Sequence, residues 1–185
     1  NQKRTIQSNN KVRVGYLSPD FREHSVAYFL EPLLENHNPD QFEIYCYNNS
    51  IQYDQVTTRL YKYCDTWRDI SHLEQIQAAE IIATDELDIL VDLAGHTCKN
   101  SLPVFAHKPA TNTITWLGYP DTTGLSCMDY RLTDDIADPY PESDQYATEK
   151  LLRLPNGFHS YRPMENAPDV SSLPALKNGY ITFGS

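Results

Sequence analysis

Three short polar segments hold the residues with the greatest chemical reach. The first is Ser18-Pro19-Asp20-Phe21-Arg22-Glu23-His24-Ser25, the second Asp92-Leu93-Ala94-Gly95-His96-Thr97, and the third Gly118-Tyr119-Pro120-Asp121-Thr122-Thr123-Gly124. An imidazole such as His24 can accept a proton near neutral pH or hydrogen-bond a substrate, and a solvent-exposed loop histidine is the plain alternative. His96 carries the same pair of readings, its plain one being a side chain that fixes its own loop by bonding to backbone. Asp92 ends an apolar run, where a carboxylate is tolerated only with hydrogen-bonded partners. It therefore reads as support for His96 or a neighbouring loop ahead of direct catalysis, and Asp129 has a similar ambiguity. Gly118 and Gly124 allow backbone to approach a ligand closely or to take positive φ, or they simply mark two tight turns.

These segments need strands and helices to hold them. Residues 11–17 are rich in β-branched and aromatic types and stop at Ser18-Pro19-Asp20, a strand followed by a turn. Val26, Phe29, Leu30, Leu33 and Leu34 then recur at helical spacing over residues 26–35, with Ser25 placed as the cap. The alternation continues with a strand at 42–47, a helix at 55–63, a short strand at 67–70 and a helix at 73–84 with Ile76, Ala79, Ile82 and Ala83 on one face. Residues 87–93 are almost continuously apolar, as in a parallel strand covered on both faces. A short helix at 100–106 and strands at 113–117, 130–133 and 149–154 complete an α/β fold, a Rossmann-like parallel sheet sandwiched by helices. In such sheets ligands bind beyond the carboxyl ends of the strands, which is where all three polar segments fall.

The division expected is a linker over 1–10, a principal domain over 11–155, a Pro- and Asn-rich linker over 156–178, and a new strand at 180–183 opening a second domain over 179–185. The absent starting Met and the close within that strand read as the ends of a piece cut from a longer protein.

Composition narrows the function. In 185 residues, 25 Asp and Glu against 15 Lys and Arg give a net charge of -10, which repels nucleic-acid phosphates and anionic membrane surfaces. No apolar run approaches a bilayer span and no signal peptide is visible, so a cytoplasmic location is expected, with no nucleic-acid or membrane partner. Cys46, Cys64, Cys98 and Cys127 show no C-x-x-C pairing and read as free thiols. Histidines 24, 37, 72, 96, 107 and 159 lack metal-ligand spacing, so no structural zinc is expected. The sequence holds no G-x-S-x-G, P-loop, H-E-x-x-H or, after the first strand, G-x-G-x-x-G, which weakens hydrolase, NTPase and dehydrogenase readings.

Taken together, the three segments resemble the catalytic region of O-GlcNAc transferases and their bacterial and plant SPINDLY-like relatives. The likeness is carried by Val14-Gly15-Tyr16-Leu17-Ser18-Pro19-Asp20-Phe21-Arg22-Glu23-His24-Ser25, by Ile89-Leu90-Val91-Asp92-Leu93-Ala94-Gly95-His96-Thr97, and by Trp116-Leu117-Gly118-Tyr119-Pro120-Asp121-Thr122-Thr123-Gly124 followed by Met128-Asp129-Tyr130. It implies the N-terminal lobe of a glycosyltransferase B fold, with tetratricopeptide repeats preceding it and a C-terminal lobe holding most of the sugar nucleotide. It also implies an inverting transfer of N-acetylglucosamine from UDP-GlcNAc to Ser or Thr hydroxyls of protein acceptors, with no metal or other cofactor. GDP-fucose as donor and a non-catalytic interaction module are the alternatives. On this reading His24 is the catalytic candidate. His96, Gly118, Tyr119, Pro120, Thr122, Thr123 and Gly124 are the candidate substrate contacts, supported by Asp20, Asp92 and Asp129, with no metal ligands.

Overall fold

The structure is a computed structural model and describes residues 11–163 and 167–183. The expected linker at 1–10 lies outside the described residues.

Seven strands form one parallel sheet in the order β3-β2-β1-β4-β5-β6-β7. They are β1 (Val12–Ser18), β2 (Phe42–Asn48), β3 (Thr66–Asp69), β4 (Ile89–Asp92), β5 (Asn112–Thr115), β6 (Tyr130–Thr133) and β7 (Lys150–Arg153). Between them run α1 (Ser25–Glu35), α2 (Gln55–Tyr61), α3 (Gln75–Thr84) and α4 (Leu102–Phe105), with a 3-10 turn at Glu142–Tyr146.

The two-residue period of the strands sorts their side chains into two cores. Val14, Tyr16, Ile44, Cys46 and Val91 pack with Leu30 and Leu34 of α1 and Leu60 of α2. Their neighbours Leu17, Tyr45, Tyr47 and Leu90 point the other way, onto Ala78, Ala79 and Ile82 of α3 and Val104 and Phe105 of α4. Each fully buried aliphatic side chain contributes about 1.5–3 kcal/mol relative to an exposed one, so both layers are needed to hold the sheet. The strand order reverses between β1 and β4, where connections leave in opposite directions and a crevice opens beyond the strand ends. The first two polar segments follow these two strands, and the third follows β5 next door.

The structure differs from the sequence reading at several elements. The cap of α1 is His24 rather than Ser25, which is the helix's first residue. In α3 the buried face is Ala78, Ala79 and Ile82, whereas Ile76 is 53% exposed. Here α3 begins at Gln75, capped by Glu74, so Ile76 lies in its first turn. β5 stops at Thr115 because Leu117 takes a φ of 76°. The stretch expected as an irregular linker contains a short helix, α5 (Pro174–Asn178), ended by Gly179 in the left-handed region. Residues 180–183 form no strand, and Tyr180, Ile181 and Phe183 are exposed. No helix among the described residues is long and apolar enough to cross a membrane.

Candidate functional site

The switch point holds a cleft of about 200 Å³ lined by Asp20, Arg22, His24, Thr97, Lys99 and Gly118, among others. It is smaller than the 300 Å³ or more usual for a complete small-molecule site, and suits part of a ligand rather than a whole nucleotide sugar. Residues from all three segments meet there.

His24 is held by its role as a helix cap. Its Nδ1 accepts from the Val26 backbone N–H at 3.2 Å, so the neutral ring carries its proton on Nε2. Asp20 Oδ2 lies 3.7 Å from the same Nδ1, and its other oxygen accepts from Arg22 Nη2 at 3.0 Å. The loop is anchored from below, because the Glu23 N–H donates to Asp54 Oδ2 at 2.6 Å and Asp54 is the cap of α2. Asp20 is thereby held facing His24 without a direct hydrogen bond to it.

Asp92 is fully buried and organises the second segment. Its oxygens accept from the N–H groups of Ala94 at 3.1 Å and Gly95 at 2.9 Å, and from Thr115 Oγ1 at 2.9 Å. Burial raises its pKa above the ordinary aspartate value, although these three bonds and the nearby His96 pull it down. The carboxylate supports the loop and makes no hydrogen bond to His96. His96 instead donates from Nε2 to the Thr123 carbonyl at 2.7 Å, and its ring meets Tyr119 edge-on with centroids 5.3 Å apart. Gly95 makes room for this contact. Its φ is 54°, and a Cβ there would lie 2.3 Å from the Tyr119 Cβ.

Gly118 is required by close approach to protein backbone. A Cβ on it would fall 2.0 Å from the Leu93 carbonyl oxygen and 2.8 Å from the Ala94 Cα, so the second and third segments touch main chain to main chain. The Gly118 N–H bonds back to the Trp116 carbonyl at 3.0 Å across Leu117, a three-residue turn with a left-handed centre that is costly for leucine. Gly124, with φ 69° and open space around it, is a turn glycine.

Sequence reasoning missed the group that fixes the third segment. Glu149, only 4% exposed, accepts from Thr122 Oγ1 at 2.7 Å, from the Thr123 N–H at 2.7 Å, and from Thr123 Oγ1. Burial pushes its pKa up, but the bonds from Thr123 and Thr122 outweigh that and leave it below the ordinary glutamate value. Since the Thr123 carbonyl holds His96, Glu149 positions that histidine at one remove. Pro120 is exposed, and its carbonyl accepts from Arg131 Nη1 at 3.0 Å. The one local signal for Glu149 was the Thr122-Thr123 pair, two hydroxyls beside a loop N–H that require an acceptor. Nothing nearby in sequence said which residue supplies it. Arg22, Thr97 and Lys99 line the cleft yet were not singled out.

Of the expected site residues, His24, Asp20 and Gly118 line the cleft, whereas His96, Tyr119, Pro120, Thr122, Thr123, Gly124 and Asp92 do not, and one expected supporting residue lies far from it. Asp129 sits at the amino end of the strands, where it accepts from the Thr113 N–H and hydroxyl, both at 2.9 Å, and from Lys108 Nζ at 2.9 Å. Its pKa is lowered by these bonds against the upward push of burial. It closes the β5–β6 register far from the rim. No group of three or more His, Cys, Asp or Glu side chains among the described residues could hold a metal ion.

Residues 1–163 match the family described as "Glycosyl transferase family 41". The chain belongs to this family. The family 41 chain is 42% identical over 178 residues to the probable UDP-N-acetylglucosamine–peptide N-acetylglucosaminyltransferase SPINDLY of Arabidopsis thaliana, covering 94% of this chain and 19% of the relative. It is 31% identical over 156 residues to the UDP-N-acetylglucosamine–peptide N-acetylglucosaminyltransferase of Caenorhabditis elegans, covering 83% of this chain and 14% of that protein. Among solved structures, a mutant O-GlcNAc transferase of Thermobaculum terrenum superposes with a TM-score of 0.84 at 39% identity, over 88% of this chain and 31% of the other. The family 41 chain therefore spans about a fifth of the plant relative's length and under a third of the bacterial one's.

Proposed function

We propose that this chain is the N-terminal lobe of an inverting protein O-GlcNAc transferase, moving N-acetylglucosamine from UDP-GlcNAc to Ser or Thr hydroxyls without a metal. The observation that carries this reading is the cleft at the sheet's switch point, where His24 is joined by Asp20, Arg22 and Gly118. Family membership and the names of the relatives support it. Residues 11–155 form the lobe, and the segment after it leads toward a C-terminal lobe that would bind uracil, ribose and diphosphate. Tetratricopeptide repeats would precede it in a cytoplasmic protein.

Inverting transfer requires a hydroxyl aligned behind the anomeric carbon, a route for its proton, and stabilisation of the departing diphosphate. This lobe supplies the first two. The Nε2–H of neutral His24 donates a hydrogen bond to an acceptor or sugar oxygen. If the ring proton moves to Nδ1, Nε2 can accept the hydroxyl proton while Asp20 stabilises the imidazolium. Gly118 brings the third segment to the cleft, and His96, Tyr119, Thr122, Thr123 and Gly124 sit on the loops beside it, tied together by the His96–Thr123 bond.

The test is transfer by the full-length protein from UDP-GlcNAc and from GDP-fucose to acceptor peptides, with His24→Asn alongside. Asn is a strong helix cap, so this variant keeps α1 while removing the imidazole. The expected result is transfer from UDP-GlcNAc and a loss of roughly 100-fold or more in His24→Asn. Transfer from GDP-fucose alone would overturn the donor assignment, and full activity in His24→Asn would overturn the role of His24. The 185-residue chain by itself should show negligible UDP-GlcNAc affinity by calorimetry, and micromolar binding would place the donor site in this lobe.

A further inference from the structure

Away from the cleft, two cysteines 18 positions apart in sequence meet side by side. Cys46 Sγ and Cys64 Sγ are 2.7 Å apart, nearer than two sulfurs rest without bonding and farther than the ~2.05 Å of a disulfide. Cys46 lies in β2 and is fully buried; Cys64, in the turn between α2 and β3, is partly exposed. The backbone around the pair is already fixed. Asp65, next to Cys64, accepts from the Ile44 N–H at 2.7 Å through its carboxylate and donates its own N–H to the Ile44 carbonyl at 2.9 Å. This double tie holds the turn in register with β2 and so keeps the two sulfurs together. No metal explains the pair, since a zinc site needs three or four such ligands and none gathers there among the described residues.

We infer that Cys46 and Cys64 form a dithiol that a peroxide-class oxidant converts to a disulfide. Cys64, the partly exposed thiol, is oxidised first. Its sulfur attacks one peroxide oxygen, an S–O bond forms as the O–O bond breaks, and the departing hydroxide takes up the thiol proton as water, leaving a sulfenic acid. The Cys46 sulfur then attacks the Cys64 sulfur. The S–S bond forms, the S–O bond breaks, and the leaving hydroxide takes the Cys46 proton, giving a second water. Two thiols lose two electrons and one peroxide becomes two waters. Cys46, fully buried in β2, does not meet the oxidant first, whereas the partly exposed Cys64 does, which leaves Cys46 as the resolving thiol.

The cross-link would staple the end of α2 to the sheet. Through Asp54 and the Glu23 N–H the other end of α2 holds the His24 loop, and Arg59 pairs with Glu31 of α1 through bonds of 2.8 and 3.0 Å. Oxidation therefore stiffens the layer beneath the cleft.

The experiment exposes the full chain to graded hydrogen peroxide at pH 7.5, then combines mass spectrometry of non-reduced peptides with a thermal melt. Expected are a linked Cys46–Cys64 peptide, reversed by dithiothreitol, and a melting temperature raised by roughly 5–10 °C. A Cys98→Ser/Cys127→Ser double variant should form the same link, and Cys64→Ser should not. Accumulation of Cys64 sulfinic acid without the linked peptide, or linkage only to Cys98 or Cys127, would overturn the inference. The wild-type peptide map decides it even where Cys64→Ser folds poorly.

Discussion

Glu149→Ala isolates the buried carboxylate behind the third rim segment. It leaves the Thr123 N–H and hydroxyl without their acceptor inside a residue only 3% exposed. Thr122, partly exposed, keeps Thr148 as a partner at 3.1 Å. Each buried group stripped of its partner costs about 1–3 kcal/mol, so two of them place the loss at about 2–6 kcal/mol, or roughly 5–20 °C in Tm for a chain of this size. Glu149→Gln keeps one acceptor oxygen for the Thr123 N–H and should lose about 1–2 kcal/mol. The pH dependence provides the second half of the test. The folded-state pKa of Glu149 lies below the ordinary glutamate value, so ionisation adds stability that is present above the unfolded pKa and lost as pH falls through the folded one. The gap between wild type and Glu149→Gln, measured by urea unfolding, should hold steady from about pH 6 to 8 and narrow as pH drops below about 4.5. A Glu149→Ala loss under 0.5 kcal/mol, or a gap with Gln that does not change with pH, would refute the assignment.

Further substitutions separate the other roles at the rim. Gly118→Ala should cost roughly 3 kcal/mol or more by chemical denaturation, since its new Cβ would lie 2.0 Å from the Leu93 carbonyl oxygen. Gly124→Ala meets no atom within 4 Å and carries only its left-handed φ, so about 1 kcal/mol is expected. Asp92→Asn should show the opposite pH slope to Glu149→Gln. The raised Asp92 pKa means its ionisation in the folded state costs stability, so wild type loses ground to the variant as pH rises from the unfolded aspartate range through the folded value. His24→Ala should lose about 1 kcal/mol from the missing α1 cap, whereas His24→Asn retains it, and paired melts of the two distinguish cap from chemistry.

What the sequence made legible follows from interactions that are local or periodic. The apolar run at β4 and the helical spacing of Val26, Leu30 and Leu34 are decided by burial alone, and the Ser-Pro-Asp turn after β1 by backbone preference. These placed the first two polar segments at the right strand ends. The misreadings arise where a distant contact outweighs a local preference. Ser25 is a good capping type by itself, but the adjacent imidazole wins because Asp20 and the Asp54-anchored loop hold it in place. Ile76 has helical spacing with the buried residues, yet α3 starts only one residue before it, and its side chain stays half-exposed at the helix end. Asp129 resembled a rim acid because it follows the third segment, but the chain between Thr115 and Asp129 is long enough to return to the far end of the parallel strands. Glu149 acts on hydroxyls 26 and 27 residues away, a pairing without periodicity or motif.

The geometry of His24 also separates two roles that a motif alone leaves merged. An N-cap imidazole that accepts from the Val26 N–H commits its Nδ1 lone pair to the helix, and so presents Nε2–H, a donor, to the cleft. A general base at Nε2 requires the other tautomer, which surrenders that cap and turns Nδ1–H toward Asp20, whose oxygen stands at 3.7 Å, beyond a hydrogen bond. The cost of the exchange is about that of one cap, near 1 kcal/mol, and the Asp20 carboxylate facing that nitrogen is itself held by Arg22. The resting lobe therefore presents a donor at Nε2, and the tautomer that can act as a base is reached only by giving up the α1 cap.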